Sequence, residues 1–182
     1  QRDIASRAVL SAAVRDPERL YRLMGLPYTY GAVSLDEFRE QVVALRDGLN
    51  RADELATRVQ APSVAGAQLV GFGVSDGSLV AAVVIGDLDT ASNVTVNVPG
   101  ATSAVDSMDE KVRAANGLLA TAWKQRRSES FAVVSWIGYR APGAVEVPSQ
   151  ARATAGGANL ASFLDGIHDS RGSAPRSLTV LG

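Results

Sequence analysis

The sequence predicts an α/β protein: a mostly parallel sheet with helices on both faces, preceded by an α-helical N-terminal segment. Three observations carry this. Beyond residue 62, short apolar runs of strand length alternate with capped helical stretches. Those runs are near-continuously apolar, as in strands buried on both faces. Residues 1 to about 62 instead follow a helical period. The expected organisation is a helical region over 1–62 and an α/β body over 67–182.

In chain order, Ile4, Ala8, Ala12, Leu20 and Leu23 fit a helical period loosely, and Gly25–Gly31, with Pro27 inside it, breaks the pattern. Ser34 and Glu37 have capping-box spacing, in which each side chain satisfies the other's free amide. Leu35, Phe38, Val42, Leu45, Leu49, Ala52, Ala56 and Val59 then step by threes and fours along one face of a long helix. Its other face is charged, with acids and bases interspersed, as on a solvated amphipathic helix. Pro62 and Gly66 mark the boundary.

Leu69–Val74 and Leu79–Ile85 read as two strands joined by an Asp76-Gly77 hairpin. Val94–Val98 is a third strand. Ser107 and Glu110 make a second capping box, opening a helix through about Trp123. Phe131–Ile137 is a strand of buried type, an Ala-rich helix covers about Gln150–Ile167, and Leu178–Leu181 begins a last buried strand.

Composition narrows the chemistry. Eighteen basic residues oppose nineteen acidic ones, for a net charge of −1, so there is no electrostatic footprint for nucleic acid. The absence of Cys excludes a disulfide framework and thiolate chemistry, and the single His168 leaves too few ligands for an ordinary zinc site. No cofactor or metal is implied. No apolar run reaches the ~20 residues of a membrane span, and no classical signal peptide is visible. The cytoplasm is therefore the default compartment, an inference weakened by a first residue, Gln1, that is not an initiator Met.

The most informative stretch is Asn93–Ser103, N-V-T-V-N-V-P-G-A-T-S. A strand running into Pro99-Gly100 turns sharply and bares the following amides, which can receive an anionic oxygen, either a phosphate or the oxyanion of a tetrahedral intermediate. The plainer reading is simple punctuation. The chain closes on S-L-T-V-L-G, a strand running into Gly, the way the Gly-x-Ser-x-Gly nucleophile elbow begins.

Together these pieces resemble a known family. D-L-D-T-A-S-N-V-T-V-N-V-P-G at 87–100, V-V-S-W-I-G-Y-R-A-P at 133–142 and S-L-T-V-L-G at 177–182 are similar to the first half of an actinobacterial α/β-hydrolase family, formerly a domain of unknown function. The resemblance covers roughly residues 67–182, and the string Trp-x-Gly-Tyr-x-Ala-Pro is its most specific part. It implies a serine hydrolase acting on a small-molecule ester, thioester or amide through an acyl-serine. It also implies roles for particular residues. Gly100, Ala101 and Thr102 would form one wall of the oxyanion hole, with the Ala101 amide as donor. Gly182 would open the nucleophile elbow. Trp136, Tyr139 and Arg140 would line the substrate cleft.

In the family the Ser, the acid and the His of the triad follow the elbow's first Gly in that order, so none lies within residues 1–182. His168 precedes that point and sits in a helix's last turn, where a cation complements the dipole. Asp87 and Asp89 read as a solvated turn, and Arg126-Arg127 as a basic helix end. The expectation is therefore an incomplete fold, inactive alone and completed by further polypeptide or a second chain. Two rivals remain from the sequence: a non-catalytic α/β scaffold docking a partner through its amphipathic helix, and a nucleotide-binding loop at Pro99-Gly100. The second lacks both Gly-x-Gly-x-x-Gly and Gly-Lys-Ser/Thr.

Overall fold

The computed structural model describes residues 2–58, 66–98, 100, 103–140 and 150–182. Three helices come first: α1 (Arg2–Arg15), α2 (Pro17–Leu23) and α3 (Leu35–Arg58), with a 3-10 turn at Leu26–Tyr28. The break between α1 and α2 follows from Asp16-Pro17. The Asp16 carboxylate accepts the Arg19 amide at 3.0 Å, and Pro17 opens the new helix where no amide is needed.

The face expected over Ile4–Leu23 is corrected. Of the expected positions Leu20 packs against the core, but Ile4, Ala8, Ala12 and Leu23 are exposed, and Leu10 and Ala13 are buried instead, with Val14 packed beside them. With the helix broken at Asp16, one period cannot run through both halves. In α3 the expected stripe holds at Phe38, Val42, Leu45, Leu49, Ala52 and Ala56, all buried; Leu35 is half-buried, and Val59 lies outside the described residues. The Ser34 hydroxyl accepts the Glu37 amide at 3.2 Å, as its spacing predicts.

The sheet is formed by β1 (Ala67–Ser75), β2 (Ser78–Ile85), β3 (Asn93–Asn97), β4 (Phe131–Ile137) and β5 (Ser177–Leu181), in the spatial order β1-β2-β4-β3-β5. β1 and β2 form the expected hairpin, with Asp76 at φ 49° and Gly77 at φ 71°, the left-handed pair that matches strand twist. β2 runs antiparallel to β4, while β3, β4 and β5 are mutually parallel. The parallel connections run through α4 (Met108–Gln125) and α5 (Gln150–Ser170).

The helices lie on opposite faces, as the apolar strands require. One core joins α1, α3 and α4 to Leu69, Leu79, Val83, Ile85, Val133 and Ile137. The other packs Leu160, Phe163, Leu164 and Ile167 of α5 on Val84, Val94, Val96, Val134 and Trp136. Gly48 lets α3 approach α4, since a Cβ there would stand 2.8 Å from Met108 Cγ.

Two expectations are corrected. Ser107 is the N-cap residue of α4, yet its hydroxyl donates to the Ala104 carbonyl at 2.7 Å and caps no amide. A 3-10 turn at Val105–Ser107 leads into α4 and engages the side chain first. β5 is not buried: every residue in it is exposed, because it pairs only with β3 and no described helix covers it.

Candidate active site

The strands β3, β4 and β5 end together. Asn97 stands opposite Ser135 and Leu181, so the three chains leave the sheet at one edge, where parallel sheets form their ligand crevice. The first amide beyond β3 closes this edge: Val98 N–H donates to the Leu181 carbonyl at 2.7 Å. Gly100 and Gly182 therefore follow directly from two bonded strand exits. Gly100 is exposed, with open space where a side chain would stand, and Gly182 is exposed as well. Pro99, Ala101 and Thr102 lie outside the described residues.

Trp136, Tyr139 and Arg140 surround the neighbouring exit of β4 and fall in different environments. Trp136 is 4% exposed, and its ring sits 6.2 Å from both the Tyr139 and Phe163 rings. It lies against Gly138, where a Cβ would overlap the indole. Tyr139 is half-buried against Gly156 of α5. Arg140 donates through Nη1 to the Gly31 carbonyl at 2.6 Å, tying the segment before α3 to this edge.

Asn159 escaped notice in an Ala-rich helix whose pattern carries no signal for it. Its Nδ2 donates to the Gly138 carbonyl at 2.8 Å and to Ser75 Oγ at 3.0 Å, joining α5 to the ends of β4 and β1.

The remaining polar residues lie elsewhere. α5 runs back from the end of β4 to the start of β5, so His168 in its last turn stands at the opposite edge of the sheet. Its Nδ1 is 3.5 Å from Asp169 and its side chain is exposed. Asp87 follows β2 at that same far edge and accepts the Asp89 amide at 2.9 Å and the Thr90 hydroxyl at 2.6 Å, which makes a turn. Arg127 stacks on Trp123 at 5.2 Å, and Arg126 pairs with Glu129 at 3.5 Å. Among the described residues, no cluster of acids and His is placed to hold a metal ion. No helix among them is long and apolar enough to cross a membrane.

The α3 stripe, a candidate docking face from sequence, is consumed by the protein's own core. Phe38, Val42, Leu45 and Leu49 pack on the sheet and on α4.

The strand order, the paired exits of β3 and β5, and helices on both faces describe a hydrolase-type α/β sheet. A family model described as alpha/beta hydrolase matches residues 75–182, from the hairpin tip through both candidate loops. No curated protein and no solved structure matches the chain. Residues 75–182 make up more than half of the sequence, and the chain belongs to the alpha/beta hydrolase family.

Proposed function

We propose that residues 1–182 are the first part of a serine hydrolase that cleaves an ester, thioester or amide through an acyl-serine, of the actinobacterial type that the three motifs resemble. The observation that supports the reading is the Val98–Leu181 hydrogen bond of 2.7 Å, which joins the exits of β3 and β5, the strands from which an oxyanion loop and an elbow would leave. An acyl-transfer site needs those two elements as neighbours, since one carbonyl must meet the nucleophile and the oxyanion donors together.

In this reading a Ser two residues after Gly182 attacks the carbonyl and loses its proton to a His. The carbonyl oxygen takes the negative charge and accepts the Ala101 amide and the amide following the Ser. Collapse expels the alcohol, thiol or amine with the proton from His, and water then releases the acid by the same route. In this reading residues 1–182 contribute the oxyanion loop at Gly100–Thr102 and the crevice edge, and the nucleophile and base come from beyond Gly182. Residues 1–182 are therefore inactive alone.

The exposed β5 supports this. Leu178, Val180 and Leu181 are 40%, 44% and 39% exposed, more apolar surface than a finished central strand shows. The test is intact mass of the natural gene product under denaturing conditions, followed by labelling with a fluorophosphonate probe. A labelled Ser two residues after Gly182 sustains the reading. A product whose position two residues on is Ala or Gly, and which takes no label, overturns it in favour of a scaffold.

A further inference from the structure

The segment Gly25–Val33 is built as a stiff platform at the crevice edge. Gly25 and Gly31 adopt φ 72° and 74°, turning the chain at each end. Between them the Tyr28 amide donates to Gly25 O, the Thr29 amide to Leu26 O and the Ala32 amide to Thr29 O, each at 3.1 Å. The Thr29 hydroxyl adds a bond to Gly25 O at 3.0 Å, and Leu26 roots the loop in the core at 1% exposure.

Three tethers fix where the platform sits. The Val33 amide donates to the Gly77 carbonyl at 2.9 Å, the Tyr21 hydroxyl to the Val33 carbonyl at 2.7 Å, and Arg140 to Gly31 as above. Gly77 is the hairpin tip, and Ala81 pairs with Ile137, so that tip lies at the edge where β3, β4 and β5 end. At ~4.8 Å between strands, the exit of β5 is about 10 Å from that of β4, where Arg140 holds Gly31, and about 14 Å from the β2 end, where Gly77 holds Val33.

On this platform stand Tyr28 and Tyr30, 90% and 103% exposed. Two nearly bare aromatic side chains two residues apart on a hydrogen-bonded loop give one small exposed aromatic patch, each ring apolar in body with a polar tip. Tyrosine offers broad contact area at a small ordering cost, which suits a recognition surface. No Asp, Glu, Lys, Arg or His lies between Gly25 and Val33, and the nearby Arg140 guanidinium is engaged by Gly31.

We propose that the Gly25–Gly31 loop is a wall of the substrate cleft and that Tyr28 and Tyr30 select substrates carrying a large, uncharged apolar or aromatic group. This rests on the hydrolase reading above, and deepens it by naming the substrate class. The N-terminal helical region then serves specificity as well as the core.

The test uses the natural gene product, with 4-nitrophenyl esters of rising acyl length and acetate esters of rising leaving-group size. The double variant Tyr28→Ala/Tyr30→Ala should lower the kcat/KM ratio of large over small substrates roughly tenfold in one series. Tyr28→Phe/Tyr30→Phe should keep the ratio, and Leu23→Ala, exposed but outside the loop, should not change it. Fluorophosphonate labelling with both ratios unchanged in the Ala double variant overturns this proposal and leaves the hydrolase reading intact. No labelling and no ester cleavage by the wild type overturns both.

Discussion

Arg7 grips Asp53 with both terminal nitrogens, at 3.0 and 3.2 Å, while its Nε holds Asp3 at 2.8 Å. The carboxylates in turn accept the first amides of β1, Ala67 on Asp53 at 3.0 Å and Leu69 on Asp3 at 2.6 Å. Arg7 also donates to Ala67 O at 2.6 Å. β1 is an outer strand, so this cluster occupies backbone groups that would otherwise invite another chain.

Burial, the largest single influence on Arg7, lowers its pKa, but the hydrogen bonds and charges of Asp53 and Asp3 together raise it above its ordinary value. A raised cation contributes stability that is complete below its unfolded pKa and lost only as pH climbs through the higher folded one. Arg7→Met is expected to cost about 1–2 kcal/mol, limited by partial exposure of the cluster. The loss should be equal at about pH 7 and about pH 10. Urea denaturation at both values checks this, and a difference that disappears at the higher pH would contradict it.

The two capping sequences make opposite predictions. Ser34 bonds the Glu37 amide, so Ser34→Ala should lose about 1 kcal/mol. Ser107 bonds a carbonyl behind it instead, so Ser107→Ala should lose well under half of that, on the order of 0.3 kcal/mol. Thermal or denaturant unfolding of the two single variants decides, and equal losses would show that the Ser107 hydroxyl does cap α4.

Gly138 admits the Trp136 indole, which has no other place to go without leaving the α5 core. Gly138→Ala should cost about 1–3 kcal/mol through overpacking. Tryptophan emission should shift to the red as the ring moves toward solvent. Unchanged emission and stability would mean that the backbone yields instead.

At β5 the Ser177 amide donates to Ser92 O and Leu181 O accepts from Val98, so odd-numbered residues bond β3. The amides of Leu178 and Val180 consequently face the free edge. A chain of residues 1–182 should self-associate through this edge as its concentration rises. Val180→Pro removes one edge donor without breaking a β3 bond and should shift the population toward monomer in sedimentation velocity. A purely monomeric wild-type chain would show that the edge is protected.

Local pattern alone determined the elements of this protein. Threes and fours in α3, the Asp76-Gly77 turn and the apolar runs of β2 and β4 are short-range consequences of backbone geometry, legible without knowing what packs where. The motif strings likewise marked β3, β4 and β5 as the strands that matter, and the family match spans all three. What required tertiary structure was every relationship between distant residues. Nothing near Val98 in sequence says that its amide meets Leu181, nor near Arg140 that its guanidinium holds Gly31. Tyr28 and Tyr30 looked like part of a loop break because the significance of an exposed ring depends on which edge it stands over. Burial too was decided there. Ile4 and Leu178 are as apolar as their buried counterparts, and face water because no described element packs over them. Side-chain chemistry sets what a residue can do, but long-range packing decides which residues meet.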